Sequence, residues 1–363
     1  MHLSHLSLTN FRSYSELELP LKPGVTIFLG RNGEGKTNIA ESILYTAFLS
    51  SHRTAGDQPL VKLGESSAYI RSRIQYPERE VLLELEINAE KANRARINQN
   101  PIRSQKELFG LVQCIYFSPE DMDLVRGDPS ERRRFLDQLI TLRSPRMAGV
   151  ISDYERALRQ RNSLLKTRAH TSSLEAWDQQ VAKFGAEIIS ARLKLLEEFT
   201  PIFVSVYREI SPEKAANLSY KSSLQNISQS TDDNYQEIIR RMEEIRSQEL
   251  DRGLTLIGPH RDDLLLLLGD HLVKGYASHG ESWSIALSLK LAAYKLLVDD
   301  GFNPILILDD VFSELDEGRR THLVQLAQEA EQTIITVAVE GDLPIELTGT
   351  TYAVKNGSVK LLP

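Results

Sequence analysis

Apolar positions along this 363-residue chain alternate with a period of two near its ends and follow a helical period in the middle. Before residue 118, the alternation in Ala68 to Tyr76 and in Glu80-Val81-Leu82-Leu83-Glu84-Leu85-Glu86-Ile87 predicts antiparallel strands with one buried face. Val25-Thr26-Ile27-Phe28-Leu29 predicts a short buried strand, and Asn38 to Leu44 a helix. From 119 to about 250 the pattern is mostly helical. Leu174, Trp177, Val181, Phe184, Ile188, Ala191 and Leu195 recur at alternating steps of three and four, which is an a/d seam. Its partner is predicted between Ser152 and Arg168, giving a short helical hairpin rather than a long coiled-coil arm. Ser211-Pro212 ends a helix, and Ser219 to Asp233, rich in Ser, Asn and Gln, reads as a loop. From Leu254 the strand pattern returns. Leu264 to Leu268 is strand-sized, Pro304 to Leu308 and Gln332 to Val339 read as buried parallel strands of an α/β sheet, and Ser282 to Val298 reads as a helix.

Composition adds bounds. A hydrophobic content of 41% supplies a full core. The single cysteine, Cys114, excludes an intramolecular disulfide framework and points to a reducing cytosol; in the apolar run Leu111 to Phe117 it reads as a small buried hydrophobe. The start Met1-His2-Leu3-Ser4-His5 lacks a signal-peptide pattern, and no apolar run spans a bilayer, so the expectation is a soluble, cytoplasmic protein without a membrane partner. The net charge of −7 argues against indiscriminate nucleic-acid binding. Charge is nevertheless segregated. Arg132, Arg133, Arg134, Arg143, Arg146, Arg156, Arg159, Arg161, Lys166 and Arg168 form a basic stretch, while Asp309, Asp310, Glu314, Asp316 and Glu317 form an acidic one. The basic stretch fits a DNA-binding face and equally a solvated helix face carrying intrahelical pairs.

The chemistry is concentrated in Gly30-Arg31-Asn32-Gly33-Glu34-Gly35-Lys36-Thr37, which matches the phosphate-loop pattern G-x-x-x-x-G-K-[ST] between a predicted strand and a predicted helix. Gly30, Gly33 and Gly35 let backbone N–H groups turn inward around an anion, and the helix N-terminus adds its dipole. Lys36 can reach the outer phosphates of ATP as a point charge, and the Thr37 hydroxyl can ligate Mg²⁺. Asn32 and Asn38 are further candidate contacts in the loop and the first helical turn. A phosphate loop needs a carboxylate on a neighbouring strand, and Ile305-Leu306-Ile307-Leu308-Asp309-Asp310 supplies two. Asp309 is the expected Mg²⁺ partner; Asp310, pointing the other way, could polarise the attacking water. Because these halves are far apart, the nucleotide domain is predicted to be discontinuous, 1–118 with 254–363, and a helical domain, 119–253, is inserted. A third motif, Tyr276-Ala277-Ser278-His279-Gly280-Glu281, opens a helix; its serine and glycine can cap that helix or grip an anion.

With these motifs the chain resembles the RecF family of bacterial recombination mediators, relatives of the structural-maintenance-of-chromosomes and ABC-type head domains. The resemblance runs nearly end to end: Leu8-Thr9-Asn10-Phe11-Arg12-Ser13-Tyr14, Ser51-His52-Arg53-Thr54, Phe117 to Gly127, Arg132-Arg133-Arg134-Phe135-Leu136-Asp137, Gly258-Pro259-His260-Arg261-Asp262-Asp263 and Asp309 to Asp316. It implies an α/β fold, an ABC-type P-loop ATPase head with a mixed sheet and an inserted, mainly helical lobe. It implies Arg12 as a nucleotide contact, and Ser278, Gly280 and Glu281 as contacts to the γ-phosphate held by a second subunit. It implies Glu120 in the Q-loop role and Phe312-Ser313-Glu314-Leu315-Asp316 as a D-loop. The function it implies is an ATP-dependent homodimer on gapped or junction DNA, working with RecR and RecO to load RecA during replication, recombinational repair and the SOS response, and nucleoid-associated when on DNA. Three departures from ABC transporters stand out. Asp310 replaces the usual Glu, and its shorter reach implies slow ATP hydrolysis; the signature reads Ser278-His279-Gly280-Glu281; and the strand into Phe117-Ser118-Pro119-Glu120 has no glutamine at its end, which leaves Glu120 for the Q-loop role. No switch histidine is evident after Ile334 to Val339 either, and the resemblance implies an ATPase activity that depends on DNA. Candidate DNA contacts are Arg53, Arg71, Arg73, Arg103, Arg132, Arg133 and Arg134. The alternatives are a P-loop kinase, which needs an acceptor pocket; a chromosome-organising head, which needs a long arm; and a transporter subunit, which needs a membrane partner.

Overall fold

The computed structural model describes residues 1–54, 56–167 and 171–362. It separates into two compact units, Met1–Asp121 with Ala293–Pro363, and Met122–Ala292. The first segment carries β1 (His2–Phe11), β2 (Tyr14–Pro20), β3 (Gly24–Leu29), α1 (Lys36–Phe48), β4 (Ser67–Gln75), β5 (Glu80–Asn88), β6 (Arg94–Ile97), β7 (Asn100–Pro101) and β8 (Cys114–Phe117). The middle carries α2 (Met122–Arg126), α3 (Pro129–Arg143), α4 (Arg146–Thr167), α5 (Thr171–Ile210), β9 (Ala216–Lys221), α6 (Thr231–Glu244), α7 (Arg246–Arg252), β10 (Asp263–Leu268), β11 (His271–Leu272) and α8 (His279–Asp299). The chain ends with β12 (Ile305–Asp309), α9 (Glu317–Glu329), β13 (Gln332–Val337), β14 (Thr350–Lys355) and β15 (Ser358–Leu361).

In the first unit, alternation becomes an antiparallel sheet in the order β2-β1-β4-β5-β6-β7. Ala68, Ile70 and Ile74 of β4 and Val81, Leu83, Leu85 and Ile87 of β5 are buried on one face, and the register pairs Ile70 with Leu85. The apolar runs become a second sheet, β15-β14-β3-β13-β12-β8, parallel except for the edge strand β15. Every residue of β12 and β13 is buried, as a strand covered on both faces requires. Ile39 and Ile43 of α1 join Leu6 and Ile70 of the first sheet and Phe28, Ile307 and Ile334 of the second in one core. The mixed α/β architecture is the expected one.

In the second unit, α4 and α5 form the hairpin. Along the seam, Leu174, Val181, Ile188 and Leu195 are buried, whereas Trp177, Phe184 and Ala191 are only half-buried. The buried stripe is completed by Ala182, Ala186 and Ile189, so it is wider than an a/d seam, because α5 packs on α6 and β9 as well as on α4. Two sequence expectations change. Ser219 to Asp233 is not all loop: β9 takes its start and α6 its end, and β9 is held by pairing Leu218 with Leu266 of β10, a partner supplied far along the chain. The same pairing moves the second domain boundary. The compact units divide at Ala292/Ala293, inside α8, instead of near 253/254, so residues 254–292 belong with the helical unit. Arg168, from the basic stretch, lies outside the described residues.

Candidate nucleotide site

Residues 30–37 connect β3 to α1. The Gly30 N–H donates to the Val337 carbonyl at 3.2 Å, which ends the strand pairing. Gly33 and Gly35 then adopt φ values of +85° and +111°. These left-handed steps turn successive N–H groups to one side and form an anion-binding concavity at the start of α1. The turn is braced from behind, since the Tyr14 hydroxyl donates to the Gly35 carbonyl at 3.1 Å. A Cβ on Gly35 would meet Ser13 Oγ and Tyr14 Oη at 2.9 Å each. Gly35→Ala is therefore expected to weaken ATP binding and to destabilise the loop by about 1–3 kcal/mol. Nucleotide titration and thermal melting check this; an unchanged affinity would show that the loop does not hold phosphate.

Lys36 is buried, with 3% side-chain exposure, yet its ammonium is not packed in hydrocarbon. It donates to the Arg31 carbonyl and to Asn32 Oδ1, both at 3.4 Å, and lies 3.7 Å from Asp310 Oδ2. Thr37 donates to Asp309 Oδ1 at 3.2 Å. The carboxylates come from the end of β12. Asp309 is buried; it also accepts from the Thr336 hydroxyl on Oδ1 and from the Tyr116 hydroxyl on Oδ2 at 2.9 Å. Burial pushes its carboxyl above the ordinary range against these donors. Asp310 follows the strand in the left-handed region, φ 51°, with its N–H donating to the Thr336 carbonyl and hydroxyl at 3.1 Å. It is this bend, and not simple strand alternation, that sends the two carboxylates to different partners. Burial raises the Asp310 carboxyl too, opposed by Lys36. A hydroxyl and a carboxylate 3.2 Å apart are hard oxygen donors of the kind Mg²⁺ takes alongside phosphate oxygens, so Thr37 and Asp309 fit that ion.

Around this centre the predicted residues divide. Arg12 forms a bidentate pair with fully buried Glu41, at 2.8 and 2.6 Å, and donates to the Pro59 carbonyl, so it ties its turn to α1. Asn38 donates to Ser13 Oγ at 2.9 Å and accepts from Arg53 at 3.2 Å. Arg53 is also 3.7 Å from Glu41. Glu120 is exposed on a 3-10 turn. The side chain that reaches Asp309 from this end of β8 is Tyr116, which in turn contacts His52. The sequence motifs give neither residue a role, although a tyrosine in a strand whose other residues are buried Cys, Ile and Phe needs a polar partner for its hydroxyl.

In the second unit, Ser278 and Glu281 form a reciprocal capping box at the start of α8. The Glu281 N–H donates to Ser278 Oγ at 3.2 Å, and the Ser278 N–H donates to Glu281 Oε2 at 2.8 Å. Lys214, 2.5 Å from Glu281, together with that N–H holds the Glu281 carboxyl down to about 2. Gly280 lies between them, half-buried, in the first turn. The basic stretch proves to be mostly paired. Arg132 is buried and bidentate with Asp263 at 2.8 and 3.0 Å, which removes it from the candidate DNA contacts. Arg133 donates to the Asp262 carbonyl at 2.9 Å and is half-buried. Arg134 is exposed and pairs with Glu131 at 3.1 Å. Arg143 and Arg146 pair with Glu198 and Glu187, and Arg156 and Arg159 with Asp153 and Glu155. Arg161 is fully buried between Asp178 and Glu249 at 2.6 Å each. Gly258 to Asp263 is a structural knot: Asp262 accepts from Tyr220 and from the Ser223 N–H at 2.7 Å, the Pro259 carbonyl from Arg192, and the Thr255 carbonyl from Arg261.

A clearer concentration of cations lies in the first unit. A cavity of about 550 Å³ beside β4 to β7 is lined by Arg71, Arg94, Arg96 and Arg103, with Tyr69 and Ile102. Arg71 is partly neutralised by Glu84 at 3.4 Å, and Arg73, outside the cavity, by Glu80 at 3.0 Å. Arg94 and Arg96 were missed in the sequence, although alternation in Arg94-Ala95-Arg96-Ile97 places both on one face.

A phosphate loop and a carboxylate strand on a parallel sheet, packed through one helix against an antiparallel sheet, define a head domain of the ABC ATPase type. Residues 2–347 match the family model described as the RecF/RecN/SMC N terminal domain. DNA replication and repair protein RecF of Streptomyces avermitilis is 49% identical over 99% of this chain and 100% of its own length. RecF of Kineococcus radiotolerans is also 49% identical, over 96% of each chain. A solved structure of the recombination mediator protein RecF–ATPrS in the RecFOR pathway superposes with a TM-score of 0.91 at 28% identity, covering 100% of this chain and 98% of the other. An Smc head bound to the C-winged helix domain of ScpA shares the fold, with a TM-score of 0.59 at 16% identity, covering 100% of this chain and 97% of the other. The chain belongs to the RecF family. Among the described residues no helix is long and apolar enough to cross a membrane.

Proposed function

We propose that this protein is an ATP-gated DNA-binding switch of replication and recombinational repair. The observation that carries the reading is the convergence of Lys36 and Thr37 on Asp310 and Asp309, residues 272 positions apart in the case of Thr37 and Asp309. The family's printed names, DNA replication and repair protein and recombination mediator protein, and the nucleotide in the related structure, support it. ATP phosphates would sit on the N–H groups of residues 33–37, with Lys36 neutralising the outer phosphates. Mg²⁺ held by Thr37 and Asp309 would offset charge on the phosphate oxygens. Asp310, whose burial makes it a stronger base than an exposed carboxylate, would orient the attacking water. Its short side chain would keep turnover slow.

Two copies would close on two nucleotides, each held by the phosphate loop of one copy and the Ser278–Gly280–Glu281 turn of the other. The triphosphate thereby favours the dimer differentially, and hydrolysis releases it. Exposed arginines of the first unit, Arg71, Arg94, Arg96 and Arg103, would contribute to salt-dependent contacts with the phosphates of gapped or junction DNA. RecR, RecO and RecA are the expected functional partners, and the cytoplasm, on the nucleoid when DNA-bound, the expected location.

Light scattering tests the reading. The protein is expected to be monomeric alone or with ADP, and dimeric with a slowly hydrolysed ATP analogue, more readily on gapped duplex. Ser278→Arg is expected to retain ATP binding and lose the dimer; removing the cap should cost about 1 kcal/mol of stability. A wild-type monomer under every condition would overturn the switch.

A further inference from the structure

Tyr116 Oη donates to Asp309 Oδ2 at 2.9 Å and lies 3.0 Å from His52 Nε2, the two rings being 4.6 Å apart. A phenol has one proton to donate. Once it goes to Asp309, the contact with His52 requires the imidazole to donate, so the hydrogen of His52 sits on Nε2. Burial pushes the His52 pKa down, which keeps the ring neutral. Its Nδ1 is then an acceptor, and it is buried without a hydrogen-bond partner among the described residues. The direction of donation therefore runs from His52 to Tyr116 to Asp309. At the far end Asp309 Oδ1 accepts from Thr37 and Thr336, so three hydroxyls fix the plane of one buried carboxylate.

We propose that Tyr116 and His52 are positioning residues that set the affinity of the Asp309 carboxylate for the divalent cation of a metal–nucleotide complex. The proposal rests on the assignment of Asp309 as the metal carboxylate. His52 acts through Tyr116, and Tyr116 through Asp309. Removing the phenolic hydroxyl frees one carboxylate oxygen to rotate away from the position shared with Thr37, and leaves the His52 N–H without an acceptor. Such outer partners of a metal carboxylate typically change metal affinity by about 10- to 100-fold.

The test uses the full chain and a fluorescent ATP analogue, titrated with Mg²⁺ from excess chelator upward, with thermal melting alongside. Tyr116→Phe is expected to raise the half-saturating Mg²⁺ concentration roughly tenfold or more while changing nucleotide affinity in chelator by less than about twofold. His52→Leu is expected to shift the Mg²⁺ dependence the same way. His52→Gln, whose side-chain N–H can replace Nε2–H, is expected to restore it. An unchanged Mg²⁺ dependence in Tyr116→Phe, an equal loss of affinity in chelator, or a Gln variant no better than Leu would overturn the proposal. If Tyr116→Phe does not fold, the two His52 variants decide. Asp309→Asn separates the failures. If it also leaves the Mg²⁺ dependence intact, the metal assignment is wrong; if it alone removes the dependence, the positioning chain is wrong.

Discussion

Lys36→Met is expected to reduce ATP affinity by about 2–4 kcal/mol, roughly 30- to 1000-fold, and to abolish triphosphate-driven dimerisation. Two effects combine. A buried ammonium with access to the phosphate cradle, 3% exposed, is removed from the site where the anion's charge is greatest. Asp310, whose carboxyl burial already raises, also loses the cation that opposes the shift. Its negative charge would then face the incoming phosphate uncompensated unless it takes up a proton. The fold should survive, because methionine fills the lysine stem's volume and the loop is held by its own backbone bonds and by Tyr14. Titration with a fluorescent ATP analogue and light scattering measure both quantities. Unaltered affinity and dimerisation would sink the nucleotide site as described. Lys36→Arg makes a useful companion: it keeps the charge, but a planar fork is a poor replacement for a compact ammonium among the Arg31 carbonyl and Asn32.

Arg161→Met is expected to destabilise the helical unit by about 3–5 kcal/mol, since it leaves buried Glu249 without its cation and Asp178 with Arg246 alone. Arg161 is fully buried, bonded to Asp178 and Glu249 at 2.6 Å and to Thr255 Oγ1 at 2.8 Å. Burial opposes its charge, yet Glu249 and Asp178 more than offset that, and its pKa is raised. Asp178 also accepts from Arg246, so the loss would fall most heavily on Glu249, which additionally accepts the Leu256 N–H. The melting midpoint of that unit should fall by roughly 10 °C. Replacing Arg161, Asp178 and Glu249 together by apolar residues should recover much of the loss, because the desolvation cost then disappears with the charges. Equal stability of Arg161→Met and wild type would show that the network contributes nothing.

The parts of the fold legible in the sequence were those encoded contiguously. β3, the glycine-rich turn and α1 follow one another within 25 residues, so the turn chemistry, the apolar run and the helix start reinforce one another. β12 with Asp309 is equally local. What was not legible depends on distant partners. β9 looks like a polar loop until β10 lends it an edge. A count of basic residues from Arg132 to Arg168 suggested a basic surface, but whether a guanidinium faces solvent or a carboxylate is set by which helix or strand arrives beside it. Arg132, Arg161 and Arg192 are buried for that reason. The same holds at the nucleotide site. Lys36, Thr37, Asp309 and Asp310 were nameable from motifs, whereas Tyr116 meets Asp309 because β8 pairs with β12 in the register Tyr116↔Ile307, and His52 joins it from the segment after α1.

The order of strands in the parallel sheet bears on how the protein can be made. β3, which ends at the phosphate loop, pairs on one side with β13 and on the other with β14, placing Leu29 opposite Val337 and Ala353. A ribosome adding about 5–20 residues per second would need roughly 15–60 s between finishing β3 and finishing β14. Until β13 is made, late in that interval, both edges of an apolar strand lack their ladders, while the whole of 122–292 emerges and has time to fold. The nucleotide loop is thus among the first functional elements synthesised and among the last to be held in place.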